Sequence, residues 1–227
     1  MAHFWNTRRR QSERQQTTGK MDQGARSAVT GGAQMDGFIS LFVNLIKSAG
    51  IERKYIFEKK CMELPGFFRP TKEWDILVVK NGQLILAIEA KLQAGPSFGN
   101  NFNNRTEEAM GSAVDLWTAF KEGALNKTVQ PWLGYFFLLE DCEKSRTPVR
   151  VKEPHFKVLP EFDNASYAKR YELFCRKIVR ERLYNSAVFQ TSRRDTGAKG
   201  EFLKPADDLS LFHFAKSLTA QCETYTQ

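Results

Sequence analysis

Apolar side chains at Met35, Phe38, Leu41, Phe42, Leu45 and Ile46 recur at helical spacing and Gly50 closes the run, which predicts a helix over residues 33–48. Residues 55–64 then read as a first strand, followed by turns at Pro65-Gly66 and Arg69-Pro70. Two apolar runs, Trp74–Val79 and Leu84–Lys91, flank Asn81-Gly82, the strongest short hairpin signal in the chain. Asn104, with Glu107 three residues on, has the spacing of a capping box and predicts the start of a helix that Gly123 ends. Trp132–Leu139 is apolar on both parities, as a central strand covered on both faces must be. Helices near 165–187 and 207–222 finish the chain. This order of helix, three strands, helix, strand and helices predicts an α/β fold, a mixed β-sheet flanked by helices. With no repeat and no Pro/Gly/Ser linker, the chain reads as one domain, 31–227, behind a basic N-terminal arm, 1–30.

Composition narrows the class. At 41% hydrophobic residues the chain is too apolar to be disordered. Its longest apolar runs fall far short of the ~20 residues that span a bilayer as a helix. The net charge of +8 suggests a polyanionic partner, and its distribution sharpens the point. Residues 1–30 carry Arg8, Arg9, Arg10, Arg14, Lys20 and Arg26 against Glu13 and Asp22. Residues 165–182 carry Lys169, Arg170, Arg176, Lys177, Arg180 and Arg182 against Glu172 and Glu181. These two segments account for the whole surplus. The four cysteines are scattered without a C-x-x-C pair, and His3, His155 and His213 do not cluster with them, so neither disulfides nor a zinc site is expected. That usage fits a reducing, cytoplasmic compartment.

Three [DE]-x-K triplets occur, at Glu52/Lys54, Glu58/Lys60 and Glu89/Lys91. The first two are ordinary for a charged surface. Glu89-Ala90-Lys91 ends a buried apolar run, where a carboxylate and an amine need a reason, and period-2 alternation puts both on one face. Whether Asp75 joins them depends on the hairpin. A two-residue loop pairs Lys80 with Gln83 and sends Asp75 and Glu89 to opposite faces. A three-residue loop, Lys80-Asn81-Gly82, pairs Val79 with Gln83 and makes Glu89 the diagonal neighbour of Asp75 on the same face. The second register is expected. Two hard oxygen ligands at a strand end suit Mg²⁺, and Lys91 beside them suits orientation of an attacking water. The plainer alternative is a solvated Glu89–Lys91 pair.

An Asp…Glu-x-Lys pattern on an α-β-β-β-α-β core resembles the PD-(D/E)XK nuclease superfamily, although Trp74 rather than proline precedes Asp75. Five stretches carry a closer resemblance: SAVTGGAQMDGF (27–38), ELPGFFRPTKEWDILVV (63–79), GPSFGNNFNNRTEEAMGSA (95–113), EPHFKVLPEF (153–162) and ASYAKRYELFCRKIVRERLY (165–184). They resemble the XhoI family of type II restriction endonucleases. The resemblance implies a restriction-endonuclease-like core and Mg²⁺-dependent double-strand cleavage at CTCGAG after the first C. It also implies a homodimer on the palindrome and a cognate DNA methyltransferase. On this carry-over Asp75 and Glu89 hold the metal, the Ala90 carbonyl adds a ligand and Lys91 assists the water. Gln34, Asp36 and Glu63 are candidates to complete the metal site.

DNA contacts are expected from three places. Gly95–Arg105, read as a loop, carries Asn100, Asn101, Asn103 and Arg105, residue types that pair bidentately with adenine and guanine. Arg69 and Lys72 precede Asp75 and suit a grip on phosphate. In the helix at 165–187, Lys169, Arg176 and Arg180 lie opposite a core stripe of Tyr167, Tyr171, Phe174 and Ile178. Residues 146–157, with Arg150, Lys152, Glu153 and His155, form a further recognition segment. Two other readings stand beside this one. The first is a PD-(D/E)XK nuclease of other specificity, for repair or junction resolution. The second is a DNA-binding protein that does not cleave.

Overall fold

The computed structural model describes residues 1–18, 32–126 and 129–226. Lys20, Asp22 and Arg26 of the expected arm lie outside them. Helix α1 (Ala2–Thr18) opens the chain and buries Phe4 and Trp5 in the core, so the first part of that basic segment is anchored. After a short turn at Gly32–Gln34 comes α2 (Asp36–Ser48), with Phe38, Phe42, Val43 and Ile46 buried at the expected spacing. The residues read as one first strand divide in two. β1 (Ile56–Phe57) joins the main sheet, whereas β2 (Glu63–Pro65) pairs with β3 (Thr71–Glu73) in a separate antiparallel hairpin.

β4 (Ile76–Lys80) and β5 (Gln83–Gln93) form the hairpin around Asn81-Gly82. Helix α3 (Phe98–Lys121) follows, then β6 (Trp132–Glu140), the short α4 (Glu143–Arg146), α5 (Tyr167–Arg180), β7 (Ser186–Ser192), the short α6 (Arg194–Gly197) and α7 (Leu211–Glu223). The five-stranded sheet has the order β1-β4-β5-β6-β7, antiparallel through β5 and parallel from β5 to β7. The fold is the expected mixed sheet between helical layers. α1, α2 and α7 pack on one face, around Ile76, Ile88, Phe136 and Val188. α3 and α5 pack on the other, around Leu77, Ala87, Tyr135, Phe137 and Phe189. No helix among the described residues is long and apolar enough to cross a membrane.

Three expectations need correction. Helix α3 starts at Phe98, not Asn104, because Phe98 stacks on Tyr167 and Phe102 packs edge-on to Tyr171, contacts that override the poor helix propensity of the Gly-Asn-rich start. The helix near 165–187 stops at Arg180, where Arg182 takes a left-handed φ of 58°, and β7 follows as an unexpected fifth strand. The hairpin has the two-residue loop: Lys80 pairs with Gln83, and both Asn81 (φ 54°) and Gly82 (φ 75°) are left-handed, as a type I′ turn requires. A β-bulge then leaves Ile85 unpaired, since Val79 faces Leu84 but Val78 faces Leu86. The bulge moves the register by one, so Ile76 faces Ile88, and Asp75, just before the first paired residue of β4, donates its N–H to the Ile88 carbonyl beside Glu89. The same-face arrangement is therefore reached by a bulge rather than by a longer loop.

β6 is buried along its whole length, and Gly134 pairs with Ile88 of β5. A Cβ at Gly134 would lie 2.5–2.7 Å from the rings of Trp132 and Phe214. Gly134→Ala is expected to destabilise the fold by about 1–3 kcal/mol through overpacking, read as a lower urea midpoint with unchanged slope.

Candidate active site

Glu89 is the most deeply buried carboxylate in the molecule's described part, at 1% exposure on the central strand β5. Its Oε1 accepts from Lys91 Nζ at 2.9 Å and from Lys72 Nζ at 3.1 Å. The Tyr184 hydroxyl lies 3.3 Å from its Oε2 and 3.0 Å from the Ala109 carbonyl, which ties the site to α3. Asp75 sits at the foot of β4, with its N–H donating to the Ile88 carbonyl at 3.1 Å. Its Oδ2 accepts from the Ala90 N–H at 2.7 Å. Asp75, Glu89 and Lys91 are thus brought together on the face of the sheet that α3 and α5 cover.

The electrostatics follow from burial. Burial raises the Asp75 carboxyl, and the Ala90 N–H and Lys91 offset this only in part, leaving it above the usual range. Burial alone would also raise Glu89, but the ammonium groups of Lys91 and Lys72 together outweigh it and hold Glu89 ionised below its ordinary value. Burial would lower Lys91, yet Glu89 and Asp75 more than compensate, so its amine stays protonated. A protonated Lys91 can orient a water or donate to an oxyanion. A divalent cation fits this donor set: two neighbouring buried carboxylates of hard oxygens, one of them short of compensating positive charge.

The other expected residues fall less simply. Lys72 belongs to the site itself, delivered by the β2–β3 hairpin and lying 4.6 Å over the Trp74 ring. Arg69 is engaged elsewhere, its Nε 2.8 Å from Asp115 and its Nη2 3.2 Å from Ser112. Neither Gln34 nor Asp36 comes to Glu89: Gln34 lies in the turn before α2 and Asp36 at its first residue, and α2 packs on the opposite face; Gln34 instead accepts from Arg8. Glu63 is exposed and faces Glu73 across the small hairpin. Among the described residues no three acidic, histidine or cysteine side chains form a metal-binding group.

Asn100, Asn101, Asn103 and Arg105 occupy the first turns of α3 rather than a loop; Asn100 and Asn103 are exposed and Arg105 pairs with Glu108. On α5, Tyr171, Phe174 and Ile178 are core as expected. Of the basic stripe only Arg180 is without an ion pair among those described, since Lys169 pairs with Glu172 and Arg176 grips Asp208 through Nε and Nη2. The segment 147–159 is irregular, with Glu153 holding Lys157 and the Val158 N–H. Sequence reading missed Tyr184, which it placed at the end of a helix, and the pairing of Lys72 with Glu89. No periodic signal marks either, because both arise from elements distant along the chain.

A mixed sheet between helices, with Asp75, Glu89 and Lys91 joined across its antiparallel hairpin, defines a restriction-endonuclease-like enzyme. The family model described as restriction endonuclease XhoI matches residues 14–204, and the chain belongs to that family. It is 52% identical to the type II restriction enzyme BstVI of Geobacillus stearothermophilus over 92% of this chain and 95% of that one. It is 45% identical to XhoI of Xanthomonas vasicola over 79% and 72%, and 46% identical to AbrI of Azospirillum brasilense over 68% and 69% of the respective chains. No solved structure matches significantly. The chain is accordingly a type II site-specific deoxyribonuclease, a class that acts on double-stranded DNA and needs divalent metal ions.

Replacing Lys72 with Met removes one of the two ammonium groups that depress Glu89. A depressed carboxylate stabilises the fold above its unfolded-state value and loses that contribution as pH falls through the folded-state value. With the depression reduced, Lys72→Met is expected to move acid unfolding to higher pH, measured by circular dichroism without added metal. An unmoved acid midpoint would mean that Lys72 does not stabilise the Glu89 carboxylate.

Proposed function

We propose that Asp75, Glu89 and Lys91 form the hydrolytic centre of an Mg²⁺-dependent endonuclease that cuts CTCGAG after the first C. The observation that carries this reading is Asp75 bonded to the Ile88 and Ala90 backbone on either side of Glu89 across a bulged hairpin, with two lysine ammonium groups on the Glu89 carboxylate. Asp75 and Glu89 would hold Mg²⁺, and the Ala90 carbonyl would add a ligand. The ion, when bound, supplies positive charge against the phosphate oxygens. Lys91, protonated, orients the attacking water by hydrogen bonding and offsets charge that builds on the phosphate. Water attacks phosphorus and releases a proton to solvent, the bond to the 3′ oxygen breaks, and the departing oxygen takes a proton from solvent. The products are a 3′ hydroxyl and a 5′ phosphate. Lys72 is a second cation within reach of the same phosphate.

One such centre attacks one phosphodiester, and cutting both strands of a palindrome needs two centres of opposite polarity. A two-fold homodimer supplies them. Cutting after the first C leaves four-base 5′ overhangs and calls for a cognate methyltransferase to protect host DNA within the cell. Asn100, Asn101, Asn103 and Arg105 on the exposed start of α3, with Arg180 on α5, are the groups proposed to meet the DNA; Lys169, Arg176 and Arg69 would have to exchange an ion pair to do so. A nuclease of another target sequence is the second reading, and plasmid digestion followed by sequencing of the cut ends separates the two.

Asp75→Asn and Lys91→Ala are each expected to reduce cleavage by at least about 10³-fold while specific binding in gel-shift assays persists. Full cleavage by both would refute the assignment. Wild-type chains mixed with Lys91→Ala chains should form heterodimers that nick one strand. Only double-strand cuts, despite verified subunit exchange, would exclude one centre per strand.

A further inference from the structure

The tip of the β2–β3 hairpin carries two adjacent phenylalanines turned to solvent, Phe67 at 53% and Phe68 at 69% exposure. Their rings meet edge-to-face at 5.2 Å, and no other aromatic ring among the described residues joins them. Exposure of this much apolar surface is unfavourable unless something covers it.

The tip is also held in place with unusual thoroughness. Asp115, buried on α3, accepts the N–H of Phe67 and of Phe68, each at 2.7 Å, and Arg69 Nε at 2.8 Å. The Gly66 N–H closes the turn onto the Pro70 carbonyl at 3.2 Å. A Cβ at Gly66 would run into Asp115 and the Arg69 carbonyl, so this close approach to the Asp115 carboxylate needs glycine there. A buried carboxylate committed to three donors of one surface loop fixes that loop before any partner arrives, which removes the ordering cost of binding. Rigid exposure of two rings is what an inserting element needs and what a passive surface loop does not.

The partner follows from what else the hairpin carries. Lys72, four residues beyond Phe68, reaches Glu89 in the cleavage centre. At about 3.3 Å per strand residue the tip lies within roughly 13 Å of that lysine, or about four base steps of a duplex. Arg69 beside the rings is paired with Asp115 and Lys72 behind them with Glu89, so it is nearness to the cleavage centre, not free charge, that points to DNA. We propose that Phe67 and Phe68 form a preset apolar wedge that enters the DNA within four base steps of the scissile phosphate and unstacks one step there. Apolar wedges of this kind kink a duplex and open it to the protein. Here the wedge and the second lysine of the cleavage centre ride on one hairpin, so the distortion is referenced to the phosphate being cut. The inference rests on the proposed site at Asp75, Glu89 and Lys91.

The test uses the full chain in the Asp75→Asn background and duplexes whose cut position has been read from sequenced ends. 2-Aminopurine replaces adenine in the site and in the flanks, out to four steps from the cut. The expected result is a several-fold rise in fluorescence on binding at one or two neighbouring positions. Adding Phe67→Ala and Phe68→Ala together should abolish that rise, and in the otherwise wild-type enzyme should lower kcat/KM by about 10-fold or more. Phe212→Ala, which removes an exposed ring on α7, should change neither. A fluorescence rise that survives the double substitution overturns the proposal. So does a double variant that sediments as a smaller species, since the rings then face a second copy of the chain. Product on the gel from the Asp75→Asn background would instead indict the site assignment, independently of the fluorescence.

Discussion

A carboxylate removed from water in the middle of a sheet is the constraint on which the architecture turns. Glu89 at 1% exposure loses hydration worth many kilocalories, and only nearby positive charge and donors make its ionised form tolerable. Lys91 comes from the same strand two residues on. Lys72 has to be brought from outside the main sheet, and the β2–β3 hairpin exists in the position that does so. Tyr184, at the far end of the α5 region, approaches the other oxygen. One buried charge thereby fixes the relative placement of β5, the small hairpin and the chain leading into β7. Removing either lysine leaves a poorly compensated charge, so the cost exceeds that of a surface pair, whose worth is about 1 kcal/mol or less.

Glu89 and Lys91 stood out in the sequence because a Glu-x-Lys at the end of an apolar strand conflicts with burial unless it has a task. The register that joins Asp75 to them did not. β4 and the middle of β5 are buried on both faces, so no alternation of polar and apolar residues reports which residue faces which. The turn could be read from Asn81-Gly82, yet the bulge at Ile85 leaves no mark in a run of Leu, Ile, Leu and Ala. The same ambiguity hid β7. Its residues are buried throughout and follow an amphipathic helix, and the left-handed break falls on Arg182 rather than on a glycine or asparagine that would announce it.

Net charge was a fair guide to the partner, but it does not say which cations are already paired. Arg69, Arg176 and Arg194 each grip a carboxylate, on Asp115, Asp208 and Glu140. These pairs join residues 32 to 54 positions apart that meet only in the folded chain, so sequence spacing cannot reveal which cations are already neutralised. The Asn-rich start of α3 had the converse problem. Its composition reads as a loop, but Phe98 and Phe102 lock it against Tyr167 and Tyr171 as helix. Side chains on a helix project at fixed angles, and that rigidity favours base readout over the adaptable contacts of a loop.

The β2–β3 hairpin joins the two halves of the problem that a sequence-specific nuclease must solve. It lies outside the five-stranded sheet, so its shape is free of the register that holds Asp75 and Glu89 together. It is nonetheless anchored at both ends of its function: Asp115 of α3 clamps its tip, and Lys72 reaches Glu89. Helix α3 begins with the exposed asparagines and ends its active-side contacts at Asp115, with the Ala109 carbonyl between them facing Tyr184. A displacement of α3 by bound DNA would therefore be felt at the hairpin tip, at Tyr184 and, through Lys72, at Glu89. The carboxylate that makes the centre costly to bury is also the point where those three connections converge.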